Sequence, residues 1–204
     1  MQSSPSLSAE EQRRLRAERE AAMRLKNNKL GLTIFQGSWI LVFVALIVVY
    51  WQLGFSEGWR PTADQKPGFL WPALATLALL ASTYFAWSAL QQLKQNAKPG
   101  LVISFQSRWL AAIGAGVVFL LIMIQQAVTI SNPEGTQYAS IYRVMIGYHA
   151  IHAFIVGLML IQVYRYSQYG RYHADNTWTA EAAARLWYFV TVAWVMFYVV
   201  LYLI

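Results

Sequence analysis

Five apolar stretches, each long enough to cross a lipid bilayer, make up most of this chain. They run at about residues 30–52, 69–93, 108–130, 140–166 and 180–204. Together they contain no aspartate and one glutamate, Glu181, at the mouth of the fifth. A spanning helix needs about 20 mostly apolar residues. In hydrocarbon a helix satisfies its backbone hydrogen bonds within its own segment. Composition agrees: 57% of the 204 residues are hydrophobic and 12% are charged, against roughly 25% charged in a soluble domain. The expected fold class is an all-α integral membrane protein with five transmembrane helices.

The breaks between the stretches carry the usual punctuation. Gly54, Gly58, Pro61, Pro67 and Gly68 separate the first two, and Pro72 falls in the first turn of the second, where proline costs least. Lys94, Lys98 and Pro99-Gly100 read as the next loop, and Ser131-Asn132-Pro133-Glu134-Gly135 as a turn. Residues 1–29 are of another kind. Ser8 with Glu11 three residues later reads as a capping box. From there to Lys29, charges of both signs cover the segment, as in a solvated helix or tail. This segment lacks the continuous apolar core of a secretory signal. The expected organisation is a charged cytoplasmic segment at 1–29 and a membrane domain at 30–204. Thirteen of the sixteen lysines and arginines fall on one side of the spans, seven of them in the tail. The positive-inside rule then places the N-terminus in the cytoplasm and the C-terminus outside.

The same basic residues explain the net charge of +7 without nucleic acid, since no aromatic-interleaved basic groove accompanies them. The absence of cysteine excludes disulfides, iron–sulfur clusters and thiolate metal sites. No carboxylate lies deep in a span, which argues against a proton pump or ion-coupled transporter. No nucleotide-binding loop and no nucleophile–base set is present. Three histidines remain. His149 and His152 share a face of the fourth helix, so they cannot approach one haem iron from opposite sides, and His173 falls in a loop. The simpler expectation is that His149 and His152 hydrogen-bond to neighbouring helices. Arg143 near the outer end of the fourth span can snorkel to the surface. Arg165 and Arg185 flank the inner ends of the last two helices, as interface anchors or as a cation pair for an anionic lipid head group. Trp187, Trp194 and Tyr198, spaced by seven and four, form a stripe for packing or for lipid contact.

Two blocks carry a resemblance to a known family. Gly147-Tyr148-His149-Ala150-Ile151-His152-Ala153 is similar to the Gly-Phe-His-Gly-Leu-His-Val pattern of subunit III of the haem-copper terminal oxidases, with Arg165 as the basic residue that ends the helix. The segment from Glu181 to Trp194 resembles the family's Glu-Ala-Ala…Tyr-Trp-His-Phe-Val-Asp-x-x-Trp without gaps. Weaker echoes are Lys29-Leu30-Gly31, Pro72, Thr76, Ser82, Thr83 and Gly116-Val117-Val118-Phe119-Leu120. The chain departs from the family at three titratable positions. Trp39 aligns with its buried glutamate, Tyr188 with its histidine and Thr191 with its aspartate.

The resemblance implies the short, five-helix bacterial form, with two helices set against three around a lipid-filled cleft, in the inner membrane. It implies a non-catalytic subunit with no haem or copper of its own and with bound phospholipid. The implied partners are oxidase subunit I directly, subunit II and small subunits, in a complex that reduces oxygen to water. Lipid or inter-helix packing roles then fall to Arg165, Arg185, His149, His152, Trp187 and Trp194. Two alternatives stay open: an accessory subunit of a nitric oxide reductase or divergent oxidase, and a stand-alone small transporter or haem b cytochrome.

Overall fold

The computed structural model describes residues 8–57, 59, 68–95, 99–130, 135–170, 172 and 177–204. Gly58, Arg60, Pro61, Lys66, Pro67, Lys98, the turn at 131–134, Arg171, His173 and residues 1–7 lie outside the described residues. Five helices run in order: α1 (Ala9–Gly54), α2 (Leu70–Gln95), α3 (Pro99–Thr129), α4 (Gln137–Gln168) and α5 (Trp178–Tyr198), which ends in a π-helical turn, Val199–Leu203. Each of the five is long and apolar enough to cross a membrane, and no strand occurs among the described residues. The protein is a multi-pass, all-helical membrane protein.

The helix ends differ from expectation in one instructive place. Pro99 and Gly100 do not form a loop but open α3. Proline is tolerated in the first helical turn, where its missing N–H would be unpaired in any case. At the start of α4, Thr136 caps the helix by accepting from the Ala139 N–H. Beyond α3, the Arg143 guanidinium donates to the Ile130 carbonyl at 2.6 Å. It thereby satisfies one of the carbonyls that a helix C-terminus leaves without a partner.

The chain divides into two compact units, Met1–Trp39 and Ile40–Ile204. In the first, the Ser8 N–H donates to Glu11 Oε2 at 2.8 Å and the Glu11 N–H to Ser8 Oγ at 3.2 Å, a reciprocal capping box. Glu10 and Arg14 pair at 3.0 Å one turn apart on the exposed face.

In the second unit α2, α3, α4 and α5 form a closed ring: α2 packs on α3, α3 on α4, α4 on α5 and α5 back on α2. From residue 40 onward α1 contributes one buried side chain, Phe43. α2 thus belongs to the ring, packed on both α3 and α5. Hydrogen bonds to α5 hold it there.

Those bonds come from tryptophan. The Trp187 indole donates to Ser82 Oγ at 3.0 Å, and Ser82 Oγ donates in turn to the Ala112 carbonyl at 2.6 Å. This relay links α5, α2 and α3. The Trp194 indole donates to Thr76 Oγ1 at 2.9 Å. The hydroxyls of Thr83 and Thr191 bond each other at 2.6 Å. On the other side of the ring the Trp109 indole donates to the Leu160 carbonyl at 2.8 Å, joining α3 to α4. All three indoles are buried, and an indole N–H has only donor capacity. Each therefore needs an acceptor that lipid tails do not offer.

Gly116 makes this arrangement sterically feasible. A Cβ placed there would lie 2.9 Å from the Trp187 ring and 3.4 Å from Ser82 Oγ. Gly114, two residues earlier, has nothing within 4 Å of such an atom. Replacing glycine by alanine inside a helix ordinarily gains up to about 1 kcal/mol. Gly114→Ala should therefore hold or raise the thermal midpoint, whereas Gly116→Ala should lose about 1–3 kcal/mol by overpacking. Thermal unfolding in detergent, tracked by tryptophan fluorescence, compares the two.

Candidate functional site

The two blocks that carry the resemblance meet in the structure. His149 of α4 and Trp194 of α5 lie with ring centroids 5.5 Å apart. Around the same imidazole stand Phe43 at 5.8 Å, Phe119 at 5.7 Å and Phe197 at 6.1 Å. Phe43 also abuts His152, Tyr148 and Phe189. One phenylalanine of α1 thus plugs the space between α4 and α5, and T-shaped ring pairs of this kind add to simple burial.

The two histidines behave differently. His152 Nδ1 lies 2.6 Å from the Tyr148 carbonyl of its own helix. A carbonyl only accepts, so Nδ1 carries the proton. His149 is fully buried, and neither ring nitrogen has a hydrogen-bond partner. The expected bond from His149 to a neighbouring helix is not formed. The rings of Phe43, Phe119, Trp194 and Phe197 surround it instead, and an N–H toward an aromatic face is a weak bond at best. Among the described residues, no three His, Cys, Asp or Glu side chains gather as a metal-holding group.

The three positions that depart from the family also have defined surroundings. Thr191 bonds Thr83 and also donates to the Trp187 carbonyl at 3.1 Å, so a neutral hydroxyl pair stands where the family has an acid. The half-buried Tyr188 lines a shallow recess with Leu80, Thr83, Tyr84 and Trp87, and its hydroxyl has no partner. Trp39 packs on Phe35 at 4.5 Å.

The arginines separate. An apolar groove of about 100 Å³ runs between α3 and α4 over Gly116, Ala153, Gly157 and Trp187, and its lining includes Leu158 and Ile161. Those last two also line a recess that ends on Arg165, Tyr166 and Tyr169. The exposed Arg165 thus lines a recess that shares Leu158 and Ile161 with the apolar groove, and among the described residues no carboxylate pairs with it. Arg185 is exposed on α5 and does not line that recess. At the same end of the bundle Lys94 approaches Glu181 at 3.4 Å, and Thr177 Oγ1 donates to the same carboxylate. A surface pair of this kind, with Lys94 exposed and Glu181 half-buried, contributes about 0–1 kcal/mol. Just past α4, burial chiefly pushes the Tyr172 phenol up to about 12, with nearby Tyr166 adding to the effect.

Sequence reasoning missed Phe43 and the role of Trp109. It also missed a polar cluster near the outer end of the ring. The hydroxyls of Tyr142 and Tyr202 lie 2.9 and 2.7 Å from Gln126 Oε1 and 2.7 Å from each other; with one proton each they fill two of these three contacts at a time. Gln126 was visible as a polar residue in an apolar helix; its partners, 16 and 76 residues further along, were not.

The fold and this interior define a multi-pass helical membrane protein in which Ser82, Gln126 and Thr191 join helices through buried hydrogen bonds. Comparison with known proteins gives the family. The family model described as cytochrome c oxidase subunit III matches residues 15–204. The cytochrome c oxidase subunit 3 of Thermostichus vulcanus is 30% identical over 179 residues, covering 86% of each chain. That of Synechocystis sp. is 24% identical over 178 residues, 85% of this chain and 74% of the other. The Hippopotamus amphibius protein of the same name is 28% identical over 189 residues, 87% and 69% respectively. This chain belongs to the cytochrome c oxidase subunit III family.

His149 offers a direct test of the packing role. Removing an unpaired buried polar group in favour of an apolar one of similar size is near neutral or stabilising. His149→Leu should leave the thermal midpoint unchanged or raised. A loss of more than about 2 kcal/mol would mean that the imidazole makes a hydrogen bond in the working protein.

Proposed function

We propose that this chain is the non-catalytic subunit III of a respiratory haem-copper terminal oxidase, a complex that reduces oxygen to water. The observation that carries the reading is the family match from residue 15 to residue 204. Its most specific sequence blocks, 147–153 and 181–194, also converge on one core. In this reading the chain packs against subunit I, with subunit II and small subunits as further neighbours. It contributes no redox centre, and it supports proton uptake and the stability of the complex. Residues 1–29 form a cytoplasmic segment ahead of a membrane domain at 30–204, with the C-terminus outside, in the bacterial inner membrane.

The haem b alternative finds little support in the geometry. His149 and His152 share one helix, His152 Nδ1 is engaged by a carbonyl, and aromatic rings enclose His149.

Lipid binding belongs to the same reading. A phospholipid would lay an acyl chain along the groove over Gly116 and Gly157 and set its phosphate against Arg165. This places the lipid between α3 and α4, and it assigns the head group to Arg165 rather than to a pair with Arg185. Substituting Arg165→Leu should reduce phospholipid retained on the chain in native mass spectrometry. Unchanged retention would remove Arg165 from the site.

The function itself is tested by tagging the chain, solubilising membranes in mild detergent, and recording a reduced-minus-oxidised spectrum of the proteins that co-purify. Large haem-bearing subunits should accompany a chain that is colourless once separated. Haem on the isolated chain would make the histidines ligands and defeat the reading. Purification alone and colourless would mark descent from the family without membership in an oxidase.

A further inference from the structure

We infer that the outer end of the helix ring binds a water molecule at the side-chain amide of Gln126. Three segments bring polar groups together there: Gln126 from α3, Tyr142 from α4 and Tyr202 from the π-helical turn that ends α5. Tyr142 is fully buried and Gln126 is 7% exposed. Both hydroxyls lie within hydrogen-bonding distance of the same arm of the Gln126 amide and of each other, so that arm is engaged. The other arm of the amide, Nε2, is buried and has no partner.

This does not depend on which way the amide is turned. If oxygen and nitrogen are exchanged, Nε2 donates to the two phenol oxygens, and the carbonyl arm is the one left over. As placed, the arm without a bond is Nε2; in the exchanged orientation the carbonyl oxygen takes its position. Buried polar groups in folded proteins are paired as a rule, and ordered water is the usual partner when protein cannot supply one. Water both donates and accepts, so it completes the cluster in either orientation. A lipid ester carbonyl only accepts, and it would have to reach a residue that the helices cover. Among the described residues no carboxylate takes part in the cluster, and the guanidinium of neighbouring Arg143 is bonded to the Ile130 carbonyl, so these groups do not suit an ion. Tyr202 is half-buried.

The turn that carries Tyr202 supports the assignment. The Ile204 N–H bonds the Val199 carbonyl at 3.1 Å, five residues back. Such turns insert a residue into a helix and recur at functional sites. His149 makes the contrast. It too is buried and unpartnered, but it faces carbon rings on several sides, and a water there would lack the further polar partners it needs.

A density map of the purified wild-type protein, with its bound subunits, tests this directly. At a resolution that shows other internal waters, a compact peak is expected within hydrogen-bonding distance of the free Gln126 arm. The peak should vanish in Gln126→Met, while the Tyr142–Tyr202 bond persists. An arm that faces only carbon in the wild-type map would overturn the inference. So would an arm occupied by a lipid or by a group from another subunit. The wild-type map decides even if the variant does not fold.

Discussion

An indole N–H carried into a bilayer must find an acceptor inside the protein, and this one requirement organises the ring. Three buried tryptophans each solve it by reaching to another helix: Trp187 to Ser82, Trp194 to Thr76 and Trp109 to the Leu160 carbonyl. An unmade bond of this kind would cost about 1–3 kcal/mol, more than most single packing contacts contribute. Because α2 supplies two of the acceptors, it is held against α5. The ring then closes around Phe119, Met123, Met145 and Phe197.

The core achieves this with neutral groups. Thr191 and Thr83 bond as hydroxyls where the family places an acid, and Tyr188 stands in for a histidine. At the positions where the resemblance implies titratable groups, the joints between helices in this chain are made by neutral hydroxyls and indoles. The contribution of α1 to this core is small in area and central in position. Phe43 sits against His149, His152, Phe189 and Phe197, so the one buried side chain of a 46-residue helix touches both family blocks.

Much of the fold was legible in the sequence because spanning segments announce themselves by length and lack of charge. The start of α3 was not, since Pro99 reads as a breaker and here occupies the one helical position where proline is harmless. The site was legible in part. The blocks around His149 and Trp194 stood out by their motifs, and Thr76, Ser82 and Thr83 stood out by resemblance before their role as acceptors was visible. Phe43 carried no signal, because one more phenylalanine in an uncharged spanning stretch has nothing to distinguish it. The unpaired state of His149 could not be read either, because it is decided by rings contributed from α1, α3 and α5.

The contact between Gly116 and Trp187 reaches beyond this one chain. A side chain at position 116 collides with the indole, and the indole in turn needs the hydroxyl at position 82. A side chain at 116 alone leaves a clash, loss of the hydroxyl at 82 alone strands the indole donor, and a smaller residue at 187 alone leaves a cavity. Across diverging relatives these positions should drift as a set, with a bulkier residue at 116 accompanied by a smaller ring at 187 and a freed choice at 82. Covariation among them would then trace the joint between α2, α3 and α5 in sequences for which no structure has been determined.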